Sequence, residues 1–497
     1  MVKALKSLIF FFLFLQGAFA APLMLNEKFL NEAAQRGSPN LDQLEAAFNS
    51  TKIRQGELKE EYAPELFGRA SYAETNERAL ISFQPIFSPV AQAQLGVRQK
   101  FAQGLTTTAQ IITDQRTSTS SALAGTFRDA TTTTLSFTVQ LDLWKNLFGR
   151  VSKVKLESAE LDSKRAEIEK DIQTKAYKIT LRRVYWSLVA NQEALKISEE
   201  LLKTAQRQAA EINLRFKNAV AEADEVARYQ AQVASRQGTL LYLQYQRENL
   251  IKQLRNLLPE LSSVELTLDQ YDLGKTMDEV LACTATIATQ TKVPYQFTRY
   301  DEIVEMLRKI RGNNAVVNSR YSDVDLQLYG TVKATGVSSE EVGERSYRGS
   351  FGGSVDDINS TNRSGYEVGL QFSLPLGNSK EITQRSKEIY DDKRLLASIN
   401  STDAQVINTH NELVKSIRLL NDVIRSQKVT SLELNKRLVG MRRKYQQARV
   451  SVNDLIMDQD ALLNSELTTI ETQLQILNTL FDYLVVYTET PCDFNRN

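Results

Sequence analysis

The chain has 497 residues, 42% hydrophobic and 24% charged, with a formal net charge of +1. That balance excludes a disordered chain and gives no electrostatic basis for binding nucleic acid. One histidine, His410, and two cysteines are too few for a zinc cluster.

The first 20 residues read as a secretory signal peptide. Lys3 and Lys6 supply its basic start, Leu8–Leu15 its apolar stretch, and Ala18-Phe19-Ala20 its cleavage site. No later stretch approaches ~18 consecutive apolar residues, so the exported protein enters a membrane only as β-strands. Residues 21–61 form a helical lead-in, with Ser38-Pro39-Asn40 capping the start of LDQLEAAF.

From 62 to 143 the texture changes, and threonine, serine and glutamine become frequent. The clearest strand is 131–143, where Thr133, Leu135, Phe137, Val139 and Leu141 alternate with polar residues. Its length matches the ~9–11 residues of a tilted membrane-crossing strand. A partner is expected at 104–117, across a polar loop. The poorly patterned 63–73 is assigned a non-spanning role, because the flanking helices require an even number of crossings.

Residues 144–258 are read as the first helical hairpin. Val151–Gln237 contains neither glycine nor proline, and Pro259 ends the run. Leu181, Val184, Leu188, Leu195 and Leu202 mark a seam at heptad spacings, with the small or polar Asn191, Ser198 and Ala205 at further seam positions. The returning limb carries Val226, Tyr229, Val233 and Leu240, with Arg236 and Arg247 intruding. A mixed segment, 259–320, follows and holds Cys283. A second β segment spans 321–376, with strands at 324–335 and 365–375 around a Gly/Ser/Asp/Asn-rich loop at 336–364. A second helical hairpin occupies 377–490, and a short tail ends the chain at 491–497. Leu463, Leu467, Ile470, Leu474, Leu477, Phe481 and Leu484 give its last limb the most regular heptads.

The order strand, loop, strand, long hairpin therefore occurs twice. The hairpin turns align at Arg215-Phe216-Lys217-Asn218-Ala219 and Lys444-Tyr445-Gln446-Gln447-Ala448. Six residues past each alanine stand Glu225-Val226 and Asp454-Leu455. In these turns and their spacing the chain resembles the TolC-like outer-membrane efflux proteins across essentially its whole mature length. It departs from them where Ala219 and Ala448 replace the usual glycine.

The resemblance implies an α+β membrane protein: long coiled-coil hairpins forming a periplasmic α-barrel, and strands of a shared transmembrane β-barrel. It implies a homotrimer with four strands per copy, set in outer-membrane lipid and working with a periplasmic adaptor and an inner-membrane pump. The function so implied is export in a tripartite efflux or type I secretion system. A structural or adhesive coiled-coil protein anchored by a small barrel is the alternative, and it predicts one stalk and one block of strands.

By the same resemblance the periplasmic constriction falls at Asp454 and Tyr445, with Arg449 and Asp458 beside positions held here by Val450 and Met457. Arg215, Phe216, Ala219, Glu225, Lys444 and Ala448 are the adaptor-contacting tip residues. Three symmetry-related copies of Asp454 would repel, raise one another's pKa and attract cations. The sequence shows no catalytic constellation, cofactor motif or metal site, so an enzyme is not expected. Asp356-Asp357, Asp391-Asp392 and His410 read as solvated surface or seam residues. Cys283 and Cys492 meet an oxidising compartment in an exported protein, which allows a disulfide; two buried thiols are the alternative.

Overall fold

The computed structural model describes residues 23–36, 38–76, 86–118, 129–262, 264–269, 273–289, 298–339, 349–361, 363–374, 377–447 and 449–487. Residues 1–20, read above as a signal peptide, the tail 491–497, Ala448 and Cys492 lie outside them. Two compact units emerge. One gathers the chain up to Ala47 with 167–301 and 402 onward, and the other gathers 48–166 with 302–401.

The first unit is helical. Its elements are β1 (Leu23–Leu25), α1 (Glu27–Arg36), most of α3 (Arg150–Lys217), α4 (Ala223–Leu257), β6 (Leu266–Leu268), α5 (Leu273–Ala288), most of α8 (Ser379–Gln446) and α9 (Val452–Val486). α3 and α8 have 68 residues each and α4 and α9 have 35 each. The longer pair are therefore about 100 Å long. One constant sequence interval separates the two hairpins at all four boundaries: Arg150 and Ser379, Lys217 and Gln446, Ala223 and Val452, Leu257 and Val486.

Helices of this length bury themselves along seams. Leu181, Leu188, Leu195, Asn191, Ser198 and Ala205 are all buried. A larger core forms where α1, α3, α4, α5, α8 and α9 converge, around Val189, Leu254, Val280, Ile417, Leu480 and Phe481. β1 and β6 pair in parallel beside it. His410 is not a surface residue: it is buried, and its Nδ1 lies 2.6 Å from the Tyr487 hydroxyl. Lys175 Nζ donates to the Tyr487 carbonyl at 2.6 Å, and Tyr487 stacks on Tyr483. Cys283 is buried and disulfide-bonded.

The second unit carries most of α2 (Pro39–Glu60), most of α6 (Tyr300–Ser319) and one antiparallel sheet. Its strands are β2 (Glu65–Ala73), β3 (Phe87–Phe101), β4 (Leu105–Ser118), β5 (Asp129–Asp142), β7 (Asp325–Ser339) and β8 (Ser364–Ser373), hydrogen-bonded in the order β2-β3-β4-β5-β7-β8. Four strands are expected from the sequence, and among the described residues this sheet has six. The segment 63–73, set aside as non-spanning, pairs with β3 over the whole of β2, from Glu65↔Arg98 to Ala73↔Val90. β3 escapes the pattern because alanine and glutamine alternate weakly along it and Pro89 stands near its start.

One face of the sheet is apolar. A single row runs Leu66, Val97, Ala109, Phe137, Val332, Tyr366, and the next runs Gly68, Leu95, Ile111, Leu135, Ala334, Ser364. These side chains meet solvent in the isolated chain, with Leu135 52% and Phe372 73% exposed. The opposite face carries Gln94, Gln110, Ser136, Thr138 and Lys333. Part of the expected loop 336–364 is instead a helix, α7 (Phe351–Thr361). Its glycines and serines do not forbid a helix once it has a surface to lie on. Thr133 Oγ1 meets Ser354 Oγ at 2.6 Å, Thr131 Oγ1 donates to the Gly349 carbonyl, and Asp357 accepts the Val337 N–H. Gly336 permits this approach, because a Cβ there would lie 2.8 Å from Ile358.

Candidate functional site

The two hairpin tips lie in the first unit and are built alike. At the end of α3 the Val220 N–H donates to the Arg215 carbonyl at 2.8 Å, and the Ala219 N–H to the Phe216 carbonyl at 2.9 Å. This is a Schellman closure, which requires a left-handed residue at Ala219, and its φ is +58°. At the end of α8 the Arg449 N–H donates to the Lys444 carbonyl at 2.9 Å, at the position matching Val220. Ala448, the counterpart of Ala219, lies outside the described residues.

The tips also touch one another. The Arg215 guanidinium sits 6.0 Å from the centroid of the Tyr445 ring and is ion-paired to Glu211. Ile212, Tyr229 and Val452 form a small buried cluster, with Val226, Tyr445 and Ile456 against it. Burial and the neighbouring Tyr445 hydroxyl push the Tyr229 phenol far above its ordinary range. Phe216, Lys444 and Arg449 are exposed, and Glu225 is half-buried in the first turn of α4.

Asp454 has local work to do. Its carboxylate accepts from the Ser451 N–H at 3.1 Å and the Ser451 hydroxyl at 2.7 Å, while its own N–H donates to Ser451 Oγ. That is a capping box at the start of α9. The Ser451 hydroxyl and N–H hold the carboxyl below the usual aspartate range. Within one chain this opposes the rise expected of a carboxylate ring.

One turn further on, three consecutive residues of α9 are each bonded to another helix. Buried Asp458 takes both nitrogens of an Arg437 fork from α8, at 2.9 and 3.1 Å. Gln459 accepts from Gln232 of α4 at 3.3 Å. Asp460 pairs with Arg236 of α4, whose burial lowers its pKa. Only Asp458 was singled out from sequence. Arg236 was visible as a charge on the heptad seam, and such an intruder is itself a signal of a partner on the facing helix. Met457 is exposed.

No helix among the described residues is long and apolar enough to cross a membrane, and no metal-binding cluster of His, Cys, Asp and Glu occurs among them. A chain without such a helix, but with a sheet apolar on one face and two equal helical hairpins, defines a class of protein by its fold. The fold is that of the TolC-like outer-membrane channels.

Three solved structures share it. The outer-membrane protein VceC of Vibrio cholerae gives a TM-score of 0.62 at 15% identity, over 92% of this chain and 95% of that one. The Campylobacter jejuni CmeC outer-membrane channel gives 0.59 at 12%, over 95% and 89%. The open-state MtrE outer-membrane channel of Neisseria gonorrhoeae gives 0.58 at 14%, over 92% and 88%. No protein-family model matches the sequence, and no curated protein sequence matches it.

Proposed function

We propose that the protein is the outer-membrane channel of an export machine, assembled as a homotrimer. Its strands cross the outer membrane, its two hairpins stand in the periplasm, and it takes its driving force from an inner-membrane pump through a periplasmic adaptor. Tripartite efflux and type I secretion are the two machines that use such a duct. The observation carrying this reading is the sheet, whose apolar face and unpaired edge strands belong in lipid but cannot exist there unclosed. The chain must therefore associate with copies of itself. The helices support the same conclusion: Leu241, Tyr242, Tyr245, Leu419, Val423 and Leu432 are exposed apolar residues on coiled-coil helices, seams that further helices would cover. The likeness to VceC, CmeC and MtrE supports the outer-membrane assignment. Two stalk hairpins argue against a fibrous or adhesive anchor, which needs one.

The tips are assigned to adaptor docking and closure. Arg215, Phe216, Ala219, Glu225, Lys444 and Ala448 form the docking surface, and Asp454, Tyr445, Arg449 and Asp458 lie at the constriction. Cys283 and Cys492 are assigned to one another as a disulfide. A photo-crosslinking residue at Phe216 should trap a periplasmic adaptor in whole cells, and deletion of the gene should raise accumulation of a hydrophobic cationic dye. Recovery of the protein in inner-membrane fractions, with no adaptor adduct, would reject the reading.

A further inference from the structure

We infer that the two free edges of the sheet join copy to copy, β8 of one chain against β2 of the next, so that three six-stranded sheets close a barrel of eighteen strands. This rests on the trimeric channel reading above and replaces its expected four strands per copy with six. The interaction surface is the pair of edges, and the partner is a second copy of this chain.

The edges fit in length and direction. β2 has nine residues and β8 ten. Every neighbouring pair in the sheet is antiparallel, so β8 and a following β2 also meet antiparallel. Two registers pair every residue of β2, and the joint takes the one with Glu65 opposite Ser373 and Ala73 opposite Gly365. It keeps both faces continuous, as a joint must, since a slip of one residue would turn the apolar set inward. On the apolar face it sets Leu66 against Phe372, Gly68 against Leu370, Ala70 against Val368 and Tyr72 against Tyr366, large beside small along the middle of the seam. On the polar face exposed Arg69 falls opposite Gly369 and diagonal to exposed Glu367 and Gln371, within reach of opposite charge.

The same register satisfies closure. Within one chain the hydrogen-bonded row from Leu66 ends at Tyr366, and across the joint Tyr366 meets Tyr72 of the next copy. Each row thus climbs from position 66 to position 72 in crossing six strands. At ~3.3 Å rise per residue and ~4.8 Å between strands, one residue of climb per strand is a tilt of about 35°, within the range of closed barrels. A joint without climb would leave the strands upright and the sheet unable to close. The sense of climb agrees as well. The Thr335 N–H bond to Arg363 and the Leu143 N–H bond to Leu326 place β8 to the left of β7 and β5 to its right when the apolar face is viewed. Rows climbing leftward give strands that lean right, as right-handed strand twist demands. Barrel diameter grows about linearly with strand number, so eighteen strands open a lumen roughly half again as wide as twelve.

Paired cysteines in the full chain, in outer-membrane vesicles and treated with a short thiol cross-linker, test the joint. Ala70→Cys with Val368→Cys should yield linked dimers and trimers, while Ile111→Cys with Val368→Cys should stay monomeric. The opposite result would mean that β4 is the joining edge with four strands per copy, overturning this inference and leaving the trimeric channel intact. Failure of both pairs in a protein that native mass spectrometry shows to be trimeric also overturns it. Failure with no trimer overturns the channel reading itself.

Discussion

Ala219 holds a left-handed conformation that glycine adopts freely, with φ at +58°. A side chain there costs about 1 kcal/mol in backbone strain. Ala219→Gly should therefore slow hydrogen exchange of the Ala219 and Val220 amides, and Ala219→Val should speed it; unchanged exchange would mean the tip is already relaxed. Asp458 presents the reverse case. Its carboxylate is buried and its charge is met by Arg437, so Arg437→Ala should cost about 2–3 kcal/mol by leaving that charge unpaired. Denaturant titration of this variant beside an Arg437→Ala, Asp458→Leu double variant is the check, since the double variant should recover most of the loss. His410 sets a pH limit. Burial lowers its pKa, so the fold favours the neutral ring and Tyr487 can donate to Nδ1. A depressed pKa contributes stability that is full above the unfolded value, near pH 6.5, and is lost as pH falls through the folded value. Thermal stability should thus decline on acidification below about pH 6.5, and His410→Gln should flatten that slope. An equal slope in the variant would place the sensitive group elsewhere.

At the scale of elements, the helices were legible and the sheet was legible in part. Long runs without glycine or proline leave no alternative to a helix, and the α3 heptads name a face that is buried. In α9, by contrast, Leu463, Leu477 and Phe481 are buried, Leu467, Ile470, Leu474 and Leu484 only in part, and Ile476, Leu480 and Tyr483 join the core from beside the seam. Strict alternation found β5, β7 and β8, because leucine, valine and phenylalanine contrast sharply with their polar neighbours. β2 and β3 were obscured because Ala70, Ala91 and Ala93 are apolar only by context. The tip contacts were legible as positions but not as roles. Nothing local in Asp454 says that its carboxylate will turn back onto Ser451, and Asp460 finds Arg236 only through tertiary structure. α7 was invisible for a related reason, being held on the sheet by Thr131, Thr133 and Gly336 rather than by its own propensity. Gly336→Ala should therefore dislodge it, release Arg363 from its ion pair with Asp357 and speed trypsin cleavage at Arg363. Wild-type cleavage rates in the variant would show that α7 holds on by other contacts.

For the whole molecule, on the proposed channel reading, the decisive quantity is the number of times the chain crosses the membrane, because it would fix both topology and barrel width. On that reading six crossings predict that tags inserted within 77–85, 119–128 and 340–348 are all reached from outside the cell, and that the tight turn from Phe101 to Leu105 is not. That turn suits a short return: the Gly104 N–H donates to the Phe101 carbonyl at 3.0 Å, with Gly104 at φ +81°. With four crossings only the latter two connections would be outside, and β2 and β3 would remain in the periplasm with no lipid to cover their apolar rows. The sheet disfavours this, since Leu66 and Val97 continue the apolar row of Phe137 and Val332 without a step. Epitope tags at residue 81, residue 123, residue 344 and the 219 tip separate these cases on intact cells. Antibody should reach the first three and miss the tip until the outer membrane is opened. A silent tag at 81 beside bright tags at 123 and 344 would restore four crossings, whereas a bright tag at 219 would invert the protein altogether.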